Sequence, residues 1–292
     1  MKERENELKA LRRTRRRDIW RRLKKNRLAM VGLVILVIFV LLAVFADVLA
    51  DYQTEAIKIS RDRLQGPSAE HWFGTDVLGR DIFARIIHGA RVSLSMGLGV
   101  ALLVMVAGTL IGAVAAYFGG ITEAIIMRIA DIFICIPSIL LSLALVAAFG
   151  TNTINLVLAL VIASIAPSAR FVRSVILTVV GQDYIEAARA EGMGSMKIII
   201  THVLPNAIGP IIVDTTMGVA AMILALAGLS YLGLGIQPPT PEWGAMLSDA
   251  ASQMMNYPHL VIFPGLSILL SAAALNFLGD GLRDALDPRL KD

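Results

Sequence analysis

The sequence predicts an all-α polytopic membrane protein with six transmembrane helices, and three observations lead there. The first is composition: 56% of the 292 residues are hydrophobic and 17% are charged, with a mean hydropathy of +0.70. Counted with Gly and without Tyr, the apolar share is roughly 62%, against about 45–50% in soluble globular chains. That excludes an ordinary soluble enzyme. It also excludes intrinsic disorder, which requires low hydrophobicity and high net charge. The second observation is that the apolar residues gather in five long windows free of charge. The third is charge asymmetry. Residues 1–27 hold 13 Lys/Arg against 4 Asp/Glu, whereas the remainder holds 14 against 19. A basic arm that abuts an apolar segment acts as an orientation signal against anionic lipid, so no nucleic-acid partner is expected.

A bilayer crossing takes about 20 apolar residues. The windows are 28–46, 92–122, 132–169, 215–241 and 250–279. The third is too long for one helix and contains Gly150, Thr151, Asn152, Thr153 and Asn155, which is turn chemistry, so it divides into two spans. In chain order the reading is a basic arm over 1–27 and a first span over 28–50. A loop over 51–91 follows, then a five-helix core over 92–280 with helices at 92–117, 127–149, 154–173, 207–234 and 257–279, and a tail over 281–292. The first window outruns the 7–15 apolar residues of a signal peptide and is read as an anchor. The segment 71–81 reads as a compact turn, and Ile82 to Arg91 as an amphipathic helix along the membrane surface. With the N-terminus in the cytosol, inner segments carry 21 Lys/Arg and outer ones 6, so both termini are expected inside.

The inventory of chemical groups is thin. His71, His88, His202 and His259 lack metal-ligand spacing, and the single cysteine, Cys135, is expected to be a small buried hydrophobe. No Gly-x-x-x-x-Gly-Lys-Ser/Thr loop is present, so no nucleotide or other cofactor is expected in this chain. Asp131 and Asp214 are the carboxylates that a proton-coupled transporter or an intramembrane enzyme would have to use. Asp131 reads as an ion-pair partner of Arg128, three residues earlier, while for Asp214 pore-facing and structural roles stay open. Gly108 and Gly112, with Gly97 and Ala101, form small-residue steps suited to close helix packing.

The segment 183–206 is too long for a mere connector. Glu186, Ala187 and Ala188 favour helix, Gly192 or Gly194 can reverse the chain, and Pro205 suits the start of the next span. The result is a helical hairpin, a small rigid knob in the cytosol.

Here the sequence resembles the permease subunits of ABC importers. Their cytosolic pattern is Glu-Ala-Ala, three residues, Gly, nine residues, then Ile-x-Leu-Pro. Glu186-Ala187-Ala188, Gly192 and Leu204-Pro205 match it in register, with His202 in place of Ile. The resemblance runs over roughly residues 20 to 290, to the second permease of the peptide/nickel branch. It is carried by Phe73-Gly74-Thr75-Asp76, Gly79-Arg80-Asp81, Gly89-Ala90-Arg91-Val92-Ser93-Leu94, Tyr117-Phe118-Gly119-Gly120, Met127-Arg128 and Asp131. Further on, Leu232-Gly233-Leu234-Gly235, Gln237 to Gly244 and Gly279 to Pro288 carry it.

The resemblance implies a type I importer permease fold in the bacterial cytoplasmic membrane. It implies a second homologous permease, two ATPase subunits that bind ATP and Mg, and an extracytoplasmic solute-binding protein. It makes Glu186, Ala187, Ala188, Gly192, Met193, Gly194, Ser195, Leu204 and Pro205 the contact with the ATPase. Gln237, Pro238, Pro239, Glu242 and Trp243, together with the 72–91 segment, would dock the binding protein. Independently of the resemblance, the position of Asp214 within span five makes it the candidate pathway residue. Relatives carry dipeptides, longer peptides, glutathione, nickel chelates or opines.

Overall fold

The computed structural model describes residues 17–286; the expectations for residues 1–16 and 287–292 fall outside that range. Among the described residues all regular elements are helical. Five helices are long and apolar enough to cross a membrane, and a bent pair makes the sixth span. Span one is Arg27–Val44. Span two is Ile82–Phe118, and span three is Gly120–Ile134 followed by Ser138–Phe149. Spans four, five and six are Thr153–Val180, Leu204–Tyr231 and His259–Leu286.

Span two differs from the expectation. Ile82 to Arg91 does not lie apart as a surface helix but is the first part of one 37-residue helix, about 55 Å long at 1.5 Å per residue. Its start is fixed by Asp81, whose side chain accepts from Ala84 N at 2.8 Å. No glycine or proline interrupts the step from Arg91 to Val92, so the ten residues continue the helix, and Ala84 to Ala90 are buried on every side in the outer core. Span three also differs, because its two helices meet at 83° around Ile136 and Pro137. Pro137 disfavours helical geometry at the residue before it. Cys135 caps the first of these helices and is exposed rather than buried.

Close packing follows the small residues. A Cβ on Gly112 would stand 2.6 Å from the Ala169 carbonyl oxygen and 2.9 Å from Arg173 N, and one on Gly108 would strike Ser168. Span two therefore rests on span four backbone to backbone. Spans one and six pair at one end, where Asn26 caps span one and donates to Asp284 at 3.2 Å. The segments that enter the first span and leave the last thus share a face of the molecule.

The opposite face is built by residues 45–81 and 232–258. Arg80 and Arg85 are buried there. Arg80 donates to Asp76 at 2.6 Å and to Asp249 at 2.9 Å, and Arg85 lies 3.5 and 3.7 Å from the same two carboxylates. Each buried guanidinium is thus matched by carboxylate, which offsets much of the cost of desolvation. The network clasps the loop before span two to the short helix Trp243–Ala250.

Candidate coupling hairpin and translocation cleft

Span four ends at Val180, and Gly181 and Gln182 lead to the helix Asp183–Ala190. A tight C-terminal motif closes this helix: Gly192 N donates to Arg189 O at 3.0 Å and Met193 N to Ala188 O at 3.1 Å. Gly192 stands at the left-handed residue of that motif, with φ +78°. Gly194 then starts Ser195–Ile198, which continues through the wide turn Ile199–Val203 into span five. The second arm of the hairpin is therefore not a separate helix before the next span. It is the first part of that span, and Pro205 falls inside a continuous helical run, where the wide turn before it accommodates the missing N–H.

The inner side of the hairpin is apolar, and the outer side is mixed, with Tyr184, Met196 and Ile200 exposed beside charged and small residues. Ile185, Ala188, Ile198, Ile199 and Val203 are buried in one cluster with Ala113 and Ala116 of span two and Val172, Ile176 and Val179 of span four. Ile185, Ile198 and Val203 are fully enclosed, a burial of about 1.5–3 kcal/mol each for side chains otherwise in water. The Arg189 guanidinium lies over the Tyr117 ring, 5.0 Å from its centroid, which ties the hairpin to the end of span two. Of the nine residues expected at the ATPase contact, Glu186, Ala187, Gly192, Gly194, Ser195 and Pro205 are exposed. Ala188 is buried, and Met193 and Leu204 pack against the same cluster. The hairpin is thus a knob whose apolar side is locked to three spans and whose exposed side is free to be held.

On the hairpin side of span three, Asp131 pairs with Arg170 of span four, and Arg128 stands farther off at 3.9 Å. The Arg128 pairing expected from sequence is therefore secondary. Arg173 likewise pairs with Glu123. These two pairs stitch the first half of span three to span four. They depend on residues 39 and 50 positions apart in the chain, so local spacing could not show them.

A cleft of about 770 Å³ opens between spans two to six. Its wall is apolar except for hydroxyls such as Ser164, Ser168 and Thr215, the amide of Asn276, and Asp214. A carboxylate at a span centre costs about 2.5–3.5 kcal/mol on insertion scales, a cost that a water-accessible cleft relieves. Of the two readings left open for Asp214, this placement favours the cleft-facing one.

The expected binding-protein contact divides. Gln237, Pro238 and Pro239 are exposed, but Glu242 and Trp243 are 1% and 0% exposed. The Glu242 carboxylate caps the short helix by accepting from Ala245 N at 2.9 Å and also accepts from Ser93 Oγ at 3.2 Å. Trp243 Nε1 donates to the Ile86 carbonyl at 3.1 Å, and its ring meets Phe39 edge-on at 5.5 Å. Both side chains hold the outer core together, so they are turned inward rather than toward a partner. The segment 72–91 is mostly interior as well, with Trp72 its exposed aromatic.

Residues 108–292, which include the hairpin and spans three to six, match a family model described as "Binding-protein-dependent transport system inner membrane component". The chain belongs to this family. Residues 14–67 match a second model, the "N-terminal TM domain of oligopeptide transport permease C". Among curated relatives of this family, the dipeptide transport system permease protein DppC of Alkalihalophilus pseudofirmus is 46% identical over 94% of this chain and 90% of its own length. The glutathione transport system permease protein GsiD of Escherichia coli is 43% identical over 94% and 90%. That of Pectobacterium atrosepticum is 45% identical over 96% and 93%. In fold the chain is similar to a chain of the MetNI methionine ABC transporter, solved in inward-facing conformations. The TM-score is 0.57 at 20% identity, over 69% of this chain and 96% of that one. The protein is thus a multi-pass inner-membrane component with the type I importer permease fold, in a family of transport components rather than enzymes.

Proposed function

We propose that the chain is one transmembrane half of an ATP-driven importer that moves di- or oligopeptides across the bacterial cytoplasmic membrane. It pairs with a second homologous permease, two ATPase subunits and an extracytoplasmic binding protein that delivers the solute. The relationship to the dipeptide permease over nearly the whole chain supports the solute class. The observation that carries the mechanism is the hairpin of residues 183–203, locked by its apolar side to spans two, four and five.

Both termini and the hairpin are assigned to the cytosol, in line with the excess of Lys/Arg in those segments. ATP closes the ATPase dimer, and each ATPase groove carries the knob it holds, through Glu186, Ala187, Gly192, Gly194, Ser195 and Pro205 on the exposed side. Because the knob and span five are one helical run, its displacement tilts the wall of the cleft that carries Asp214. The side to which the cleft opens then follows the nucleotide state, an equilibrium biased by differential binding.

ATP and Mg belong to the ATPase subunits; this chain supplies the path and the lever. The experiment is uptake of labelled dialanine by the complete complex in proteoliposomes. Uptake that requires ATP and the loaded binding protein supports the reading, and uptake without ATP refutes it. Glutathione is the second reading, favoured by the glutathione permeases among the relatives, and competition against labelled dialanine distinguishes the two.

A further inference from the structure

We infer that Asp214 forms a translocation subsite for the cationic group of the solute, the α-ammonium of a peptide; the inference rests on the peptide reading above. Asp214 is the single charged side chain among those lining the 770 Å³ cleft. Among the described residues Arg170 and Arg173 of span four are paired with Asp131 and Glu123, and no ion pair to Asp214 is formed. The adjacent hydroxyl is committed as well, since Thr215 Oγ1 donates to the Ile211 carbonyl at 2.7 Å. Ile211 and Val213 are buried in the protein while Asp214 is half-buried, on the side of span five that faces the opening. It lies ten residues past Leu204 and seventeen before Tyr231, about 15 Å and about 26 Å along the helix.

A zwitterionic peptide that enters such a cleft must shed water from its ammonium group next to apolar walls. A lone carboxylate replaces that water with charge-assisted hydrogen bonds. One charge, flanked only by hydroxyls and an amide, holds the group loosely enough for release, as a conducting site must. The peptide's own carboxylate finds no cation on the cleft wall, so the subsite selects for the amine end. Thus Asp214 lowers the barrier for the charged end of the solute where it moves along the otherwise apolar wall of the cleft.

The test is made on the complete complex in proteoliposomes with excess loaded binding protein and labelled dialanine, reading uptake and ATP hydrolysis in parallel. Asp214→Asn should cut uptake about tenfold, the size of one charge-assisted hydrogen bond, while solute-stimulated ATP hydrolysis stays within about twofold of wild type. Asp214→Glu should keep at least half of the uptake. Should Asp214→Asn fail to assemble, Asp214→Ser carries the same comparison. Unchanged uptake in the neutral variant, or equal loss in the neutral and Glu variants, overturns the subsite and leaves the peptide reading intact. A wild-type complex that hydrolyses ATP but takes up no dialanine overturns the peptide reading, and the subsite with it.

Discussion

Gly192 offers a way to separate the cost of bending the hairpin from the cost of filling the space beside it. At φ +78° any L-residue pays for the left-handed conformation, about 1–2 kcal/mol. No atom lies within 4 Å of where its Cβ would stand, so within this chain a methyl group there adds nothing to the backbone cost. Gly192→Ala and Gly192→Trp therefore carry the same backbone cost. The turn is held by two backbone hydrogen bonds and by the buried Ile185, Ala188 and Ile198. A loss of about 1–2 kcal/mol should loosen it without melting it. If the knob sits in an ATPase groove, Ala barely touches the groove wall, whereas Trp must displace packed atoms, typically at about 1–3 kcal/mol or more. The assay is copurification of the ATPase subunits and ATP-driven peptide uptake, with membrane levels of both variants measured alongside. Gly192→Ala should retain the ATPase subunits with reduced uptake, and Gly192→Trp should lose both at normal membrane levels. Equal behaviour of the two variants would refute the idea that the hairpin is enclosed by a partner.

Other perturbations probe the frame that the lever moves. Arg189→Ala removes the contact with Tyr117, worth about 0.5–1 kcal/mol at an exposed site; it should raise ATP hydrolysed per peptide transported, and an unchanged ratio counts against that tether. Gly112→Leu places a side chain against the backbone of span four and should abolish accumulation in the membrane, whereas Gly218→Leu, where the site is open, should accumulate normally. Trp243→Ala should cost about 3–5 kcal/mol by leaving a cavity in the outer core, read as a drop in melting temperature of the purified complex. Gln237→Ala, on an exposed residue, should leave that temperature unchanged.

The six spans were legible because each crossing needs an uninterrupted apolar window, and charges at Arg27, Arg91 and Asp280 mark where windows stop. The same logic misplaced the start of span two. Arg85 and His88 look like surface residues in sequence, yet they are buried among Asp76, Asp249 and the Ala50 carbonyl, partners that only the tertiary structure supplies. The hairpin was legible through its short-range signals, the Glu-Ala-Ala run and Gly192. Its fusion to span five was not, because Pro205 reads locally as a break and the wide turn that relieves it leaves no mark in the sequence. Glu242 and Trp243 looked like features of an exposed loop for the same reason: a cap and an indole hydrogen bond to a residue 157 positions away depend on packing.

The most direct test of the central claim, that residues 183–203 pass ATPase motion to the cleft, uses single cysteines in a Cys135→Ala background. Ser195→Cys and Gln237→Cys place thiols at exposed positions on opposite faces. The account predicts that the cysteine at 195 cross-links to an ATPase subunit, with a yield that changes on adding ATP, and that the one at 237 is labelled only from outside the cell. A cysteine at 195 that is labelled from outside, or that forms no ATPase cross-link in an active complex, would contradict it.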